Sequence, residues 1–123
     1  YNCSNITGDL SSVSNVSNFL SLANCSNITG DLSSVSNVSN FLSLANCNNL
    51  TINQSITLNA STVYVSGCDF SEIEIERLVT ALDNNGKSNG ILSMTGTNAV
   101  PNANTLTLIT NLINKGWTVT YNS

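Results

Sequence analysis

At 123 residues the chain is sized for one domain, expected to span 1–123, and 41% hydrophobic residues supply a core. Charged residues make up only 8%, and the net charge is −4, so no basic patch exists to neutralise phosphates and nucleic-acid partners are excluded. No apolar run approaches the ~18 residues of a membrane span, and the absence of histidine removes the commonest general base and metal ligand.

Residues 2–23 read NCSNITGDLSSVSNVSNFLSLA, and residues 24–45 repeat the same 22 letters. A diverged copy begins at Asn46. Cys3, Cys25, Cys47 and Cys68 mark the period, spaced 22, 22 and 21. A fixed period of about 20–29 residues is the sequence signature of stacked coils. Identity at surface positions as well as core positions points to a very recent duplication or an engineered repeat. Within each copy, Leu20-Ser21-Leu22, Leu42-Ser43-Leu44 and Val63-Tyr64-Val65 alternate as short strands, with the outer two residues of each facing a core. Between strands the run GDLSSVSNVSN is poor in helix formers, so turns or a 3-10 coil are expected, filled by Ile28, Leu32, Val35 and Val38.

The pattern L-x-L-x-x-C-x-x-I/L, carried by Leu20–Ile28 and Leu42–Leu50, resembles the leucine-rich repeat in its cysteine-type variant. The resemblance implies a right-handed α/β solenoid with a parallel concave sheet, repeats over 1–67 and a C-terminal helix–strand cap over 68–123. Equivalent residues of stacked coils lie about 4.8 Å apart with parallel Cβ vectors, which do not suit a disulfide. No paired C-x-x-C occurs for zinc. Cys3, Cys25, Cys47 and Cys68 therefore read as a buried ladder of reduced thiols, ahead of a disulfide or a metal site. Asn24 with Asn46, and Asn27 with Asn49, are candidates for side-chain pairing between copies.

Beyond Cys68 the rhythm changes. Ser71 and Glu74 form a capping box, and Ile75, Leu78, Val79 and Leu82 follow at helical spacing; the alternation Glu72–Glu76 reads as a strand only if that box is ignored. Asn84-Asn85-Gly86 stops the helix. Gly90–Met94 restores a strand, Pro101–Asn104 is a loop, and Thr105–Lys115 is helical through Leu106, Ile109, Leu112 and Ile113, with Gly116 at C′. Trp117–Tyr121 is the closing strand. Ser88–Leu92, Gly96-Thr97-Asn98 and Lys115–Thr120 resemble the C-terminal ends of leucine-rich proteins from phages and bacterial mobile elements, including integron-cassette proteins. That resemblance brings no catalytic residue.

The resemblance makes the concave sheet the usual binding surface; its candidates are Phe19, Ser21, Phe41, Ser43, Tyr64, Ile91, Ser93 and Thr120. Asp9 and Asp31 occupy one repeat position and read as turn residues, with calcium ligation the weaker alternative. No G-x-S-x-G elbow, Walker loop or G-x-G-x-x-G occurs, so no catalytic, cofactor-binding or metal residue is assigned. No signal peptide opens the chain, and a cytoplasmic location is expected. The leading expectation is a non-enzymatic repeat scaffold, a homodimer formed through its N-terminal end by Tyr1, Ile6, Leu10, Val13 and Val16. The alternative is a ligand- or protein-binding module using the concave sheet.

Overall fold

A computed structural model describes residues 6–123. Tyr1 and Cys3, both singled out from the sequence, lie outside the described residues. The architecture is α/β, with parallel strands in two sheets and two α-helices. Five strands form the larger sheet: β2 (Phe19–Ser21), β4 (Phe41–Ser43), β6 (Thr62–Tyr64), β7 (Ile91–Met94) and β8 (Thr118–Tyr121), side by side in that order. A smaller sheet joins β1 (Gly8–Asp9), β3 (Ile28–Asp31) and β5 (Leu50–Thr51). No strand is expected there from the sequence.

Register follows the period. Leu20 pairs with Leu42, Leu42 with Val63, Val63 with Leu92 and Leu92 with Val119. The apolar member of every strand therefore falls on one inward line. Leu42, Val63 and Leu92 are fully buried, joined by Leu44, Val65 and Met94 two residues on. From the opposite side Ile28, Leu32, Val35 and Val38 close the core, as the sequence predicts.

The run expected to avoid α-helix does so. Leu10–Val13 and Leu32–Val35 are single 3-10 turns, and Asp9 and Asp31 cap them. Tight bends follow the inner strands, where Asn24 and Asn46 take φ of 64° and 62°. At the next equivalent bend stands Gly67, with φ 76°. A Cβ there would lie 2.2 Å from Asn46 Oδ1, so glycine at this bend leaves room for the Asn46 side chain as it is placed.

Helix α1 (Glu72–Asn84) begins at the predicted capping box, with Ser71 and Glu74 exchanging side-chain and backbone bonds. Ile75, Leu78, Val79 and Leu82 are its buried stripe. Helix α2 (Ala103–Asn114) starts two residues earlier than expected because Asn102 caps it, accepting from Thr105 N at 2.8 Å. Its buried face is Thr105, Ile109 and Leu112. Leu106 and Ile113 satisfy the same spacing but point outward. Asn104 ties one side of α2 to α1, while Leu106 and Ile113 are exposed on another.

Candidate functional site

Two interior thiols and one amide share a role. Cys25, Cys47 and Cys68 are buried, reduced cysteines. Cys47 Sγ donates to Leu22 O at 2.9 Å and Cys68 Sγ to Leu44 O at 2.9 Å, so each thiol reaches back to the strand of the copy before it. Burial pushes the Cys68 thiol up to about 12. Asn98 continues the series: its Nδ2 donates to Val65 O at 2.9 Å and its Oδ1 accepts from Phe70 N at 2.9 Å. Asn98 was not singled out by the sequence analysis. The signal was present in Gly96-Thr97-Asn98, one position out of phase with the cysteines.

Asparagines link the copies at the surface. Asn46 Nδ2 donates to Asn24 Oδ1 at 2.7 Å, the pairing expected, and Asn40 donates to Asn18 in the same way. Asn49 donates to Ser26 O at 2.5 Å. Asn37 and Asn59 likewise donate to backbone carbonyls of the preceding copy, at Ser14 and Ser36.

Both aspartates are engaged by hydrogen bonds. Asp31 accepts from Ser33 N (3.0 Å), Thr51 Oγ1 (3.0 Å) and Asn53 N (2.7 Å), while Asp9 accepts from Ser11 N at 2.9 Å and from Thr29 Oγ1 at 3.4 Å. Each is spent on its own 3-10 turn and on the threonine of the following copy. Among the described residues no group of three or more His, Cys, Asp or Glu is placed to hold a metal. The Ser11 backbone N–H holds the Asp9 carboxyl below its ordinary range. For Asp31 burial works the other way, but the N–H groups of Ser33 and Asn53 outweigh it and the net direction is also down.

The acids of α1 are structural as well. Glu74 accepts from Ile52 N at 2.8 Å as well as from Ser71 N, and Arg77 Nη1 donates to Ile52 O at 2.7 Å. One acid and one base thus satisfy the backbone just past β5, where the smaller sheet ends. Glu72 and Glu76 share a face, as their spacing requires, and accept from Asn102 and Asn104. A shallow cleft of about 330 Å³ runs beside them, lined by Ser55, Ile56, Ile73, Arg77 and Thr80.

Outward on the larger sheet, side chains of the predicted surface come together. The rings of Phe19 and Phe41 stack with centroids 4.7 Å apart, and Tyr64 meets Phe41 edge-on at 5.4 Å. Phe19 is 59% exposed and Ile91 and Thr120 are also open to solvent. Ser43, expected on the open face, is only 6% exposed, flanked in register by Ser21 and Tyr64. Ser93 joins a hydroxyl cluster, its Oγ 2.9 Å from Ser66 Oγ, which lies 3.1 Å from Thr95 Oγ1. No outward position of these five strands carries charge.

At the first described copy, Ile6, Leu10, Val13, Leu22 and Ile28 line an apolar hollow of about 180 Å³. Ile6 is half exposed, and Val13 and Val16 are partly buried. Leu10 corrects the expectation of an exposed contact residue: it is fully buried beneath its 3-10 turn, packed into the core.

No family model, characterised protein or solved structure matches the chain. Among the described residues no helix is long and apolar enough to cross a membrane.

Proposed function

We propose that the chain is a leucine-rich repeat scaffold, a right-handed solenoid of 22-residue coils that carries no catalytic activity and associates with its own kind through the end of its first coil. What supports the solenoid is the lateral bonding. Cys47, Asn46, Asn40 and Ser39 each bond into the preceding copy, and the strand register advances by the sequence period. What supports self-association is one observation, the apolar hollow bounded by half-exposed Ile6 and by Val13. Asn37, Ser39 and Asn40 each donate to the copy before them. An open strand edge beside an apolar surface is a template for a second chain. Light scattering at high micromolar concentration tests this. The wild type exceeds 13.0 kDa, and Ile6→Lys lowers the mass while the circular dichroism is unchanged. A mass that Ile6→Lys leaves as it was contradicts the reading.

A second reading is favoured by the Phe19–Phe41–Tyr64 cluster: a binding module, of phage or mobile-element kind, that reads an uncharged partner on the sheet. Aromatic anchors on a rigid face are what such contacts use. Peptides selected from a random library against the wild type would then lose binding to Phe41→Ser. Selected binders indifferent to Phe41 would exclude the sheet.

A further inference from the structure

The other end of the molecule presents a different surface. Helix α2 and strand β8 contain no charged residue. Lys115, which lies between them, is turned toward α1, where its Nζ donates to Asp83 O and Oδ1 at 2.7 and 2.8 Å. Among the described residues strand β8 pairs with β7 alone. Its inward residues Val119 and Tyr121 are only partly buried, whereas their register partners Leu92 and Met94 are fully buried. None of the devices that blunt a strand edge, charge, proline or bulge, occurs in Thr118–Tyr121.

The helix adds to this edge. Asn104 faces α1, donating to Glu76 Oε2 at 3.0 Å, and Thr105, Ile109 and Leu112 face the sheet. At 3.6 residues per turn, Leu106 and Ile113 lie together roughly 40–60° past Ile109, on the side away from Asn104 and α1. They therefore flank the open side of β8. They are 41% and 51% exposed. An uncharged open strand and an exposed leucine–isoleucine stripe thus stand side by side on one end.

We propose that this end docks a second copy of the chain about a two-fold axis, with β8 antiparallel to the partner's β8 and α2 against the partner's α2. The stripe is self-complementary. A two-fold axis near Thr110 sets Leu106 against the partner's Ile113 and Ile113 against the partner's Leu106 in one operation. Antiparallel pairing needs nothing that two copies of one edge do not both offer. Docking onto the first-coil end matches poorly, because a 3-10 turn stands there in place of a helix. A charged partner would find no countercharge on α2 or β8. The larger sheet becomes ten strands, and its outward aromatic clusters are doubled. This surface is separate from the first-coil end, and contacts at both would build species larger than a dimer.

Four chains in light scattering and sedimentation separate the two surfaces: wild type, Leu106→Lys, Ile6→Lys and the double variant. The substituted residues are half exposed, so the dichroism spectrum remains that of the wild type. Leu106→Lys or Ile113→Glu is expected to weaken association through the helix end about tenfold or more, since each sets a charge against an apolar residue. Mixing Leu106→Lys with Ile113→Glu chains should recover a species of two chains, because the two-fold arrangement brings the substituted positions together as an ion pair. If only the helix end associates, the wild type is a dimer that Leu106→Lys dissociates and Ile6→Lys does not. A mass unaffected by Leu106→Lys and by Ile113→Glu, or no recovery on mixing, overturns the proposal; a loss confined to Ile6→Lys leaves only the first-coil surface.

Discussion

Thr105 is fully buried, and its Oγ1 has no hydrogen-bond partner among the described residues. A buried hydroxyl without a partner costs free energy that an isosteric methyl group does not. Thr105→Val should therefore leave stability unchanged or raise it by about 1 kcal/mol, measured by denaturant unfolding. A clear loss would mean that the hydroxyl holds an ordered water. The thiols follow the same logic of burial. With its thiol raised to about 12, Cys68 holds almost no thiolate at neutral pH, and thiol reagents should label it only after denaturation. Asp31 gives the acid dependence. Its folded-state affinity for protons is lowered, so the stability it contributes is present above the ordinary carboxylate range and lost as pH falls through its lowered value. The denaturant midpoint should drop with acidification below about pH 4, and Asp31→Asn should flatten that drop. An unchanged acid slope would show that the Ser33 and Asn53 bonds do not distinguish charged from neutral side chains.

Elements were legible where a local rule sufficed. The capping box fixed the start of α1, the poor helix formers of GDLSSVSNVSN gave 3-10 turns, and alternating Leu-Ser-Leu gave strands with the expected inward residues. What stayed hidden depends on partners distant in sequence. The phase of α2 depends on what packs against it, so Leu106 and Ile113 could not be told from Ile109 and Leu112 by spacing. Leu10 is buried and Ser43 shielded by neighbouring copies. Strands β1, β3 and β5 form because two- to four-residue stretches distant in sequence pair in parallel, with no alternation in any one of them. The same dependence on distant partners yields a test at the end of the smaller sheet. Glu74 serves both its own helix cap and Ile52 N, whereas Glu72 accepts one long bond from Asn102 at 3.3 Å. Removing a partner from a part-buried backbone donor costs about 1–3 kcal/mol. Glu74→Ala should lose that much stability and Glu72→Ala almost none. Equal losses would mean that Glu74 acts through helix charge alone.

At the scale of the molecule, the proposed solenoid has two unlike ends. Its charges cluster in 69–87 apart from Asp31, Lys115 and Asp9, which is among the residues lining the first-coil hollow, and this leaves the aromatic sheet face, helix α2 and strand β8 neutral. Self-association at neutral surfaces is expected to resist salt, since no counterions screen it. Stability of such an array is approximately a sum of coil and interface terms. Residues 2–23 and 24–45 are identical, so the bonds that join them, such as Asn40 to Asn18 and Ser39 to Ser17, can be regenerated by one more copy. The most direct measurement is denaturant unfolding of the chain with a third copy of NCSNITGDLSSVSNVSNFLSLA inserted between Ala23 and Asn24. Stacked coils predict a single cooperative transition with a higher midpoint and a steeper denaturant dependence, because another interface and more surface are buried. A lower midpoint, or a second transition at low denaturant, would contradict the 22-residue coil as the stacking unit.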